Sequence, residues 1–123
     1  MKRMTLANLS VPRLVERFTV ICLEQYRAEL RDEIGKYNRL FDDLVAVRDE
    51  LKARAGDQRS ALLALLEHEN PQVRLKAALY SLAVAPVIAR QALQEISDRN
   101  EYPQAAYARQ TLEALDKGTS KLL

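Results

Sequence analysis

The chain has 123 residues, of which 48% are apolar and 29% are charged, and its formal net charge is +2. This length suffices for one domain with a buried core, and the composition is that of a folded globular protein, which excludes intrinsic disorder. The charge is also even: eleven basic and nine acidic residues fall in 1–56, and eight of each fall in 57–123. Nucleic-acid binders usually concentrate basic residues on one face, so this distribution argues against a nucleic-acid partner.

The sequence shows neither a transmembrane segment nor a signal peptide. The longest run without a formal charge, Ala77–Ala89, contains Pro86 and is shorter than the roughly 20 residues that cross a bilayer. The first residues lack the apolar core of a signal peptide. The single cysteine, Cys22, cannot form an intramolecular disulfide, and its apolar neighbours favour a buried structural thiol. We therefore expect a cytoplasmic protein without membrane association.

Two long stretches carry apolar residues at helical spacing. The first extends from Leu14 to Leu30 and follows Ser10, a suitable N-cap. The second extends from Ile34 to Leu51 and stops shortly before Gly56, a helix-terminating signal. Together they predict a long N-terminal helical hairpin over residues 1–56.

The second half of the chain predicts four shorter helices. Each is opened by a capping or proline signal: Asp57, Asn70-Pro71, Pro86 and Tyr102-Pro103. The helix after Asn70 is apolar almost all round from Ala77, so we expect it to be buried on more than one side. Short gaps force neighbouring helices into antiparallel hairpins. The sequence thus predicts a central hairpin over 57–85, a C-terminal hairpin over 86–117 and a tail over 118–123.

A repeat relates the last two hairpins. A shift of thirty residues places Leu63 on Leu93 and Ala78 on Ala108, and brings "PQV" within two positions of "PQA". A helix, a proline-marked turn and an alanine-rich helix at a fixed period are typical of stacked α-hairpins. The predicted fold is therefore all-α: one domain, an α–α superhelix of about six helices in three antiparallel hairpins.

Specific residues of the chain also resemble known families. "NPQVRLKAALYSLA" resembles the second helix of a HEAT repeat, at the positions Asn70, Val73, Arg74, Ala77, Ala78 and Leu82. Over nearly its full length the chain is similar to the bacterial family called domain of unknown function 2019, through "LVERF", "KYNRLFDDL", "RDELKAR" and "ENPQVRLKAAL". The resemblance implies an armadillo-like, short HEAT-like stack and no established activity. The repeat length is close to that of the short HEAT-like units of phycobilin lyases.

The sequence contains no catalytic or metal-binding motif. Its one histidine, His68, falls at the end of the third predicted helix, where a cation interacts favourably with the helix dipole. The densest acidic pattern comprises Asp42, Asp43, Asp49 and Glu50, but basic residues are interleaved with it. That mixture favours a solvated, salt-bridged face over acid–base chemistry. We therefore expect no enzymatic activity, no metal site and no cofactor.

Tyrosines and arginines supply the candidate binding surface. Tyr37, Tyr80 and Tyr107 fall on the second helices of the three hairpins, the layer that lines the concave side of such stacks, although Tyr80 suits the core equally. Arg74 holds the HEAT-repeat arginine position, where the resemblance implies a bridge between neighbouring units. The alternative is an anchor for a partner's carboxylate or phosphate. The candidate partner-binding residues are Tyr37, Asn38, Arg74, Tyr80, Tyr107 and Arg109.

The leading hypothesis is a non-enzymatic module that binds another protein through the concave face of a small HEAT-like stack. Two alternatives stay open: a HEAT-like protein that binds nucleic acid, and an accessory protein that resembles the phycobilin lyases. The sequence is compatible with a monomer and with a homodimer.

Overall fold

A computed structural model of the chain describes residues 6–119, and this part consists of helices joined by turns, without strands. Its longer α-helices are α1 (Val11–Leu30), α2 (Ile34–Ala53), α3 (Pro71–Ser81), α4 (Pro86–Arg99) and α5 (Gln104–Asp116). A 3₁₀ helix over Gln58–Leu65 lies between α2 and α3. The predicted all-α class, with about six helices, is confirmed. Within residues 6–119 no helix combines the length and the apolar character that a membrane span requires.

The chain divides into two compact units, one ending at Ala61 and the other beginning at Leu62. The first unit contains α1 and α2, and the second contains α3, α4 and α5. The division into three hairpins over 1–56, 57–85 and 86–117 stays a prediction. Of the predicted tail, 118–123, the last four residues lie outside the described part of the chain.

In the first unit, α1 packs along α2. The N-cap is the predicted one, since Ser10 Oγ accepts a hydrogen bond from the Arg13 backbone N–H at 3.3 Å. The buried apolar side chains recur at three- and four-residue spacing: Leu14, Phe18, Ile21 and Cys22 of α1, and Leu40, Leu44, Val47 and Leu51 of α2. Each large side chain buried in this way stabilises the fold by about 1.5–3 kcal/mol.

Three residues of the predicted apolar stripes are exposed. Leu30 is 69% exposed, Ile34 is 71% exposed and Phe41 is 41% exposed. The stripe of α2 carries eight apolar residues, which is more than one helix face holds. Packing against α1 buries the face of Leu40 and Leu44 and leaves the neighbouring face outward.

In the second unit, α3 packs on α4 and α5, and α4 packs on α5. Asn70 Oδ1 caps α3 by accepting from the backbone N–H groups of Gln72 at 2.9 Å and Val73 at 3.3 Å. Every residue from Gln72 to Ala78 is buried. The expectation that this helix is buried on more than one side is thereby confirmed.

Small residues allow the close packing of the second unit. Ala78 and Ala108 have no exposed surface, and they belong to a core cluster with Leu75, Leu82, Leu93 and Ile96. An alanine contributes little volume, so the backbones of two helices can approach each other at these positions. The alanine-rich repeat therefore has a packing function.

The third predicted helix is a 3₁₀ helix that ends at Leu65, not an α-helix over 58–69. Asp57, the predicted cap, has a left-handed backbone with φ 53°. Its carboxylate binds Arg59: Oδ1 accepts from Nε at 2.8 Å, and Oδ2 accepts from Nη2 at 2.6 Å. Arg59 and Leu62 are both buried, and residues three apart lie on one side of a 3₁₀ helix. A spacing of three fits both helix types, so the sequence pattern did not separate them.

Candidate functional site

The six predicted partner-binding residues are divided between the two units. Tyr37 and Asn38 lie on α2 of the first unit, half-buried and exposed respectively. In the second unit, α5 carries Tyr107 and Arg109, which are two positions apart. Residues at this spacing point to opposite sides of a helix. Arg74 and Tyr80 lie on α3, the first buried and the second half-buried.

Arg74 is 4% exposed and bonds within its own unit. Its Nε donates to the His68 carbonyl at 2.7 Å, and its Nη2 donates to the Glu69 carbonyl at 3.3 Å and to Glu101 Oε1 at 2.9 Å. The side chain therefore ties the turn before α3 to the turn before α5. Its Nη1 is buried and has no hydrogen-bond partner among the described residues. These contacts match the bridging role that the HEAT resemblance implies.

His68 belongs to the same turn. Its ring Nδ1 accepts a hydrogen bond from the Asn70 backbone N–H at 3.0 Å, and its carbonyl accepts from Arg74. A ring nitrogen that accepts carries no proton. The histidine thus shapes the turn that leads into the Asn70 cap of α3.

Arg109 holds the turn between α4 and α5. Its Nε donates to Ser97 Oγ at 2.9 Å, and its Nη2 donates to the Ser97 carbonyl at 2.7 Å and to Asn100 Oδ1 at 2.5 Å. Its Nη1 donates to the Tyr102 hydroxyl, and the guanidinium carbon lies 5.3 Å from the centre of that ring. Asn100 ends α4 with a left-handed backbone at φ 57°. The cation at this helix end also interacts favourably with the helix dipole.

A groove of about 550 Å³ in the second unit gathers Arg74 with seven residues that the sequence did not single out. We call it the α4 groove. It is lined by Leu66 and Glu67 after the 3₁₀ helix, Arg74 of α3, and Ala92, Glu95, Ile96, Asp98 and Arg99 of α4. Positions 92, 95, 96 and 99 follow the spacing of one helix face. Two apolar residues alternating with two charged ones on that face, Ala92, Glu95, Ile96 and Arg99, are the signal that could have indicated the groove.

The α4 groove has an apolar floor and a charged rim. Ala92 and Ile96 are buried and Leu66 is half-buried, whereas Glu67, Glu95, Asp98 and Arg99 are exposed. Within residues 6–119, Glu67, Glu95 and Arg99 form no ion pair. Asp98 Oδ1 accepts from Gln94 Nε2 at 3.0 Å. The rim therefore carries three carboxylates and one guanidinium, while Glu101 neutralises the buried Arg74.

The acidic pattern of α2 is partly salt-bridged, as expected. Glu50 Oε2 lies 2.7 Å from Arg54 Nε, and Asp49 Oδ1 lies 2.9 Å from Arg48 Nη2. A depression of about 370 Å³ adjoins this face and is lined by Leu6, Asp42, Val45, Ala46, Asp49 and Glu50. Over residues 6–119, no three side chains of His, Cys, Asp and Glu are grouped in a way that could hold a metal ion.

Comparison with known proteins places the chain in a family. The family described as Domain of unknown function (DUF2019) matches residues 12–116. The chain therefore belongs to this family, as the sequence resemblance indicated. The crystal structure of the protein RPA1889 from Rhodopseudomonas palustris CGA009 is similar, with 47% sequence identity and a TM-score of 0.93 over 94% of this chain and 96% of that chain. No curated protein matches the chain.

Proposed function

We propose that this protein is a non-enzymatic interaction module that binds a segment of another protein in the α4 groove. One observation carries the proposal: the groove combines an apolar floor with charged side chains that have no ion-pair partner in the described chain. Surfaces that bind proteins have this organisation, because burial of the apolar floor stabilises the complex and the polar rim selects the partner.

The lining of the groove contains no serine, cysteine, histidine or tyrosine, and its titratable side chains are carboxylates and arginines. Carboxylates can act as nucleophiles, but catalytic ones usually lie in sites from which water is excluded, whereas Glu67, Glu95 and Asp98 are exposed. Five of the eight lining residues also lie on α4, where side chains are held by the helix backbone. A preformed surface of this kind binds without a large ordering cost.

This proposal keeps the predicted class of function, a module that binds another protein. It places the contact surface in the α4 groove and not at the six predicted residues as a set. Arg74 contributes to the groove, whereas Tyr37, Asn38, Tyr80, Tyr107 and Arg109 do not line it. A groove of this size accommodates a segment better than a folded domain. We therefore expect an affinity of about 1 μM, in the range of small transient interfaces.

A capture experiment with matched variants tests the proposal. The native protein, Glu95→Lys and Glu113→Lys are each immobilised and incubated with an extract of the native host. Both substitutions reverse one exposed carboxylate, but Glu113 lies on α5 outside the groove. We expect a protein that the native chain and Glu113→Lys retain equally and that Glu95→Lys loses.

Two results would overturn the proposal. The first is a set of captured proteins that Glu95→Lys retains in full. The second is that the native chain captures nothing, with and without chemical crosslinking, at concentrations above the expected dissociation constant. Circular dichroism of the three proteins verifies that they are equally folded.

The two alternatives from the sequence have direct tests of their own. The rim carboxylates Glu67, Glu95 and Asp98 disfavour phosphate at the groove, so labelled duplex DNA should not bind there. A steep salt dependence of duplex binding would instead support the nucleic-acid alternative. Absorbance titration with a tetrapyrrole tests the lyase-like alternative, and we expect no spectral change.

A further inference from the structure

We infer that the α4 groove selects a basic segment with an apolar anchor residue. This inference rests on the proposed function and specifies the chemistry of its partner. It follows from the sign of the charges around the floor of the groove, and from their lack of partners within the described chain.

The unpaired charges of the rim are mostly negative. Glu67, Glu95 and Asp98 surround the floor against the single exposed cation Arg99. Arg74 does not change this balance, because its guanidinium is paired with Glu101 at 2.9 Å. Charged interfaces select partners of complementary potential, since like charges brought together repel and disfavour the wrong partner. An acidic segment is therefore excluded and a basic one is favoured.

The carboxylates border the floor from two elements. Glu67 belongs to the turn after the 3₁₀ helix, whereas Glu95 and Asp98 belong to α4. A segment lying on the floor therefore has a carboxylate within reach from either element. Lysine and arginine suit this arrangement, because their methylene stems cover apolar surface while the charged ends remain at the rim.

The floor provides the place for the anchor. Ala92 and Ile96 are one turn apart on α4, and Leu66 faces the same groove. The apolar surface open to a partner lies mainly at the half-buried Leu66, because Ala92 is 7% and Ile96 1% exposed. A leucine, methionine or tryptophan of the partner can cover it. Large apolar anchors in pockets carry most of the binding energy of such interfaces.

Peptide titrations test this inference. The protein contains no tryptophan, so a peptide with a single tryptophan anchor gives a fluorescence signal without background from the protein. The probes are two short synthetic peptides with the same tryptophan and leucine residues at helical spacing. One carries lysine at the remaining positions and the other carries glutamate. Each is titrated with the native protein, Glu95→Lys, Ala92→Leu and Glu113→Lys.

We expect the lysine peptide to bind and the glutamate peptide to bind at least about ten-fold more weakly. Glu95→Lys should weaken the lysine peptide about five-fold, because it replaces attraction by repulsion at one rim position. Ala92→Leu should weaken it by filling the floor, and its urea unfolding is measured alongside because Ala92 belongs to the core cluster. Glu113→Lys should leave the dissociation constant within about two-fold of the native value.

Three outcomes would overturn the inference: equal or preferential binding of the glutamate peptide, no binding of either peptide, or binding of the lysine peptide that Glu95→Lys and Ala92→Leu leave unchanged. The proposed function is judged separately by the capture experiment. If Glu95→Lys loses a captured protein but the native protein prefers the glutamate peptide, the α4 groove is still the binding site. The inference that its partner is basic is then wrong.

Discussion

Gln104 Nε2 donates a hydrogen bond to Gln72 Oε1 over 2.9 Å, and both side chains are fully buried. Each glutamine follows a proline, in the "PQA" and "PQV" of the internal repeat, and they are 32 residues apart. The two Pro-Gln pairs, which fall within two positions of each other in the repeat, thus contact each other and hold the first turns of α3 and α5 together. Gln104 Oε1 has no donor among the described residues.

This contact predicts a contrast between two substitutions of Gln104. Gln104→Met removes one hydrogen bond at similar volume and should cost about 1 kcal/mol of unfolding free energy. Gln104→Glu places a carboxylate against the Gln72 oxygen in a buried site and should cost more than about 3 kcal/mol at neutral pH. Urea unfolding followed by circular dichroism measures both.

The pH dependence of Gln104→Glu provides a check on this explanation. Burial raises the pKa of a carboxyl group, and the protonated group can donate to Gln72. The deficit relative to the native protein should therefore shrink as the pH falls. A deficit that is constant between neutral and acidic pH would contradict the contact described.

The two side chains of the Arg74–Glu101 ion pair differ in burial, since Arg74 is 5% exposed and Glu101 is 40% exposed. Arg74→Met leaves the carbonyls of His68 and Glu69 without their buried donor, and we expect a loss of about 2–4 kcal/mol. Glu101→Gln removes only the more exposed partner and should cost about 1 kcal/mol. Chemical denaturation of the two variants should show this order.

A matched control is available in the same unit. Arg90 forms an ion pair with Asp116, and its side chain is 44% exposed. Arg90→Met should cost less than about 1 kcal/mol, since exposed pairs contribute little. Equal losses for Arg74→Met and Arg90→Met would show that the burial of Arg74 has no energetic consequence.

Asp57 contributes stability that depends on pH. The hydrogen bond from the Arg59 side chain lowers the pKa of Asp57 below its ordinary value of 3.8. A carboxyl group whose pKa is lower in the folded state stabilises that state at any pH above its pKa in the unfolded chain. This contribution is lost as the pH falls through its pKa in the folded state. The free energy of unfolding of the native protein should therefore exceed that of Asp57→Asn by a constant amount above about pH 5. This difference should shrink below pH 3.8.

Asparagine is the suitable replacement because Asp57 has φ 53°, a left-handed conformation that asparagine tolerates. Asp32 is the matched control: its φ is 56°, and it forms no ion pair within residues 6–119. Asp32→Asn controls for the loss of one carboxylate at a left-handed position, and its pH profile of the unfolding free energy is measured in parallel. Parallel profiles for the native protein and Asp57→Asn would refute the assignment.

The alanines of the second unit predict the effect of added volume. Ala108 has no exposed surface and lies in the core cluster, whereas Ala106 is half-buried on the same helix. Ala108→Leu should lower the unfolding free energy by about 1–3 kcal/mol, because extra methylene groups force the neighbouring helices apart. Ala106→Leu should change it by less than about 1 kcal/mol. Thermal unfolding ranks the two, and an equal effect would contradict close packing at position 108.

Local signals of the sequence predicted most of the fold. Ser10, Asn70 and Pro86 each stand at a helix start because capping and proline geometry act within one turn. Periodicity likewise identified the buried sides of α1 and α2. It also assigned Ile34 and Phe41 to the core, where they do not lie, because a stripe wider than one face does not reveal which part a neighbouring helix covers.

The candidate site was less predictable. The groove forms where α3 and α4 meet near Leu66. The packing of these distant parts of the chain cannot be derived from local sequence patterns. Arg109 also shows the limit: its sequence position suggested an outward cation, but its guanidinium bonds to the Ser97 carbonyl near the end of α4 and to the side chains of Ser97 and Asn100. These bonds depend on how the ends of α4 and α5 meet, which has no sequence pattern of its own.

Different residues form the floor and the rim of the α4 groove. Substitutions at the two places therefore have different effects on the surface. Glu67 and Glu95 are exposed and set the charge of the rim together with Asp98 and Arg99, whereas Ala92 belongs to the core cluster. Exchanging either exposed glutamate leaves the helix core intact, so the charge of the rim can change at small cost to stability. A change at Ala92 also alters the core, so under the proposed function charge preference would vary more readily among proteins of this fold than anchor size.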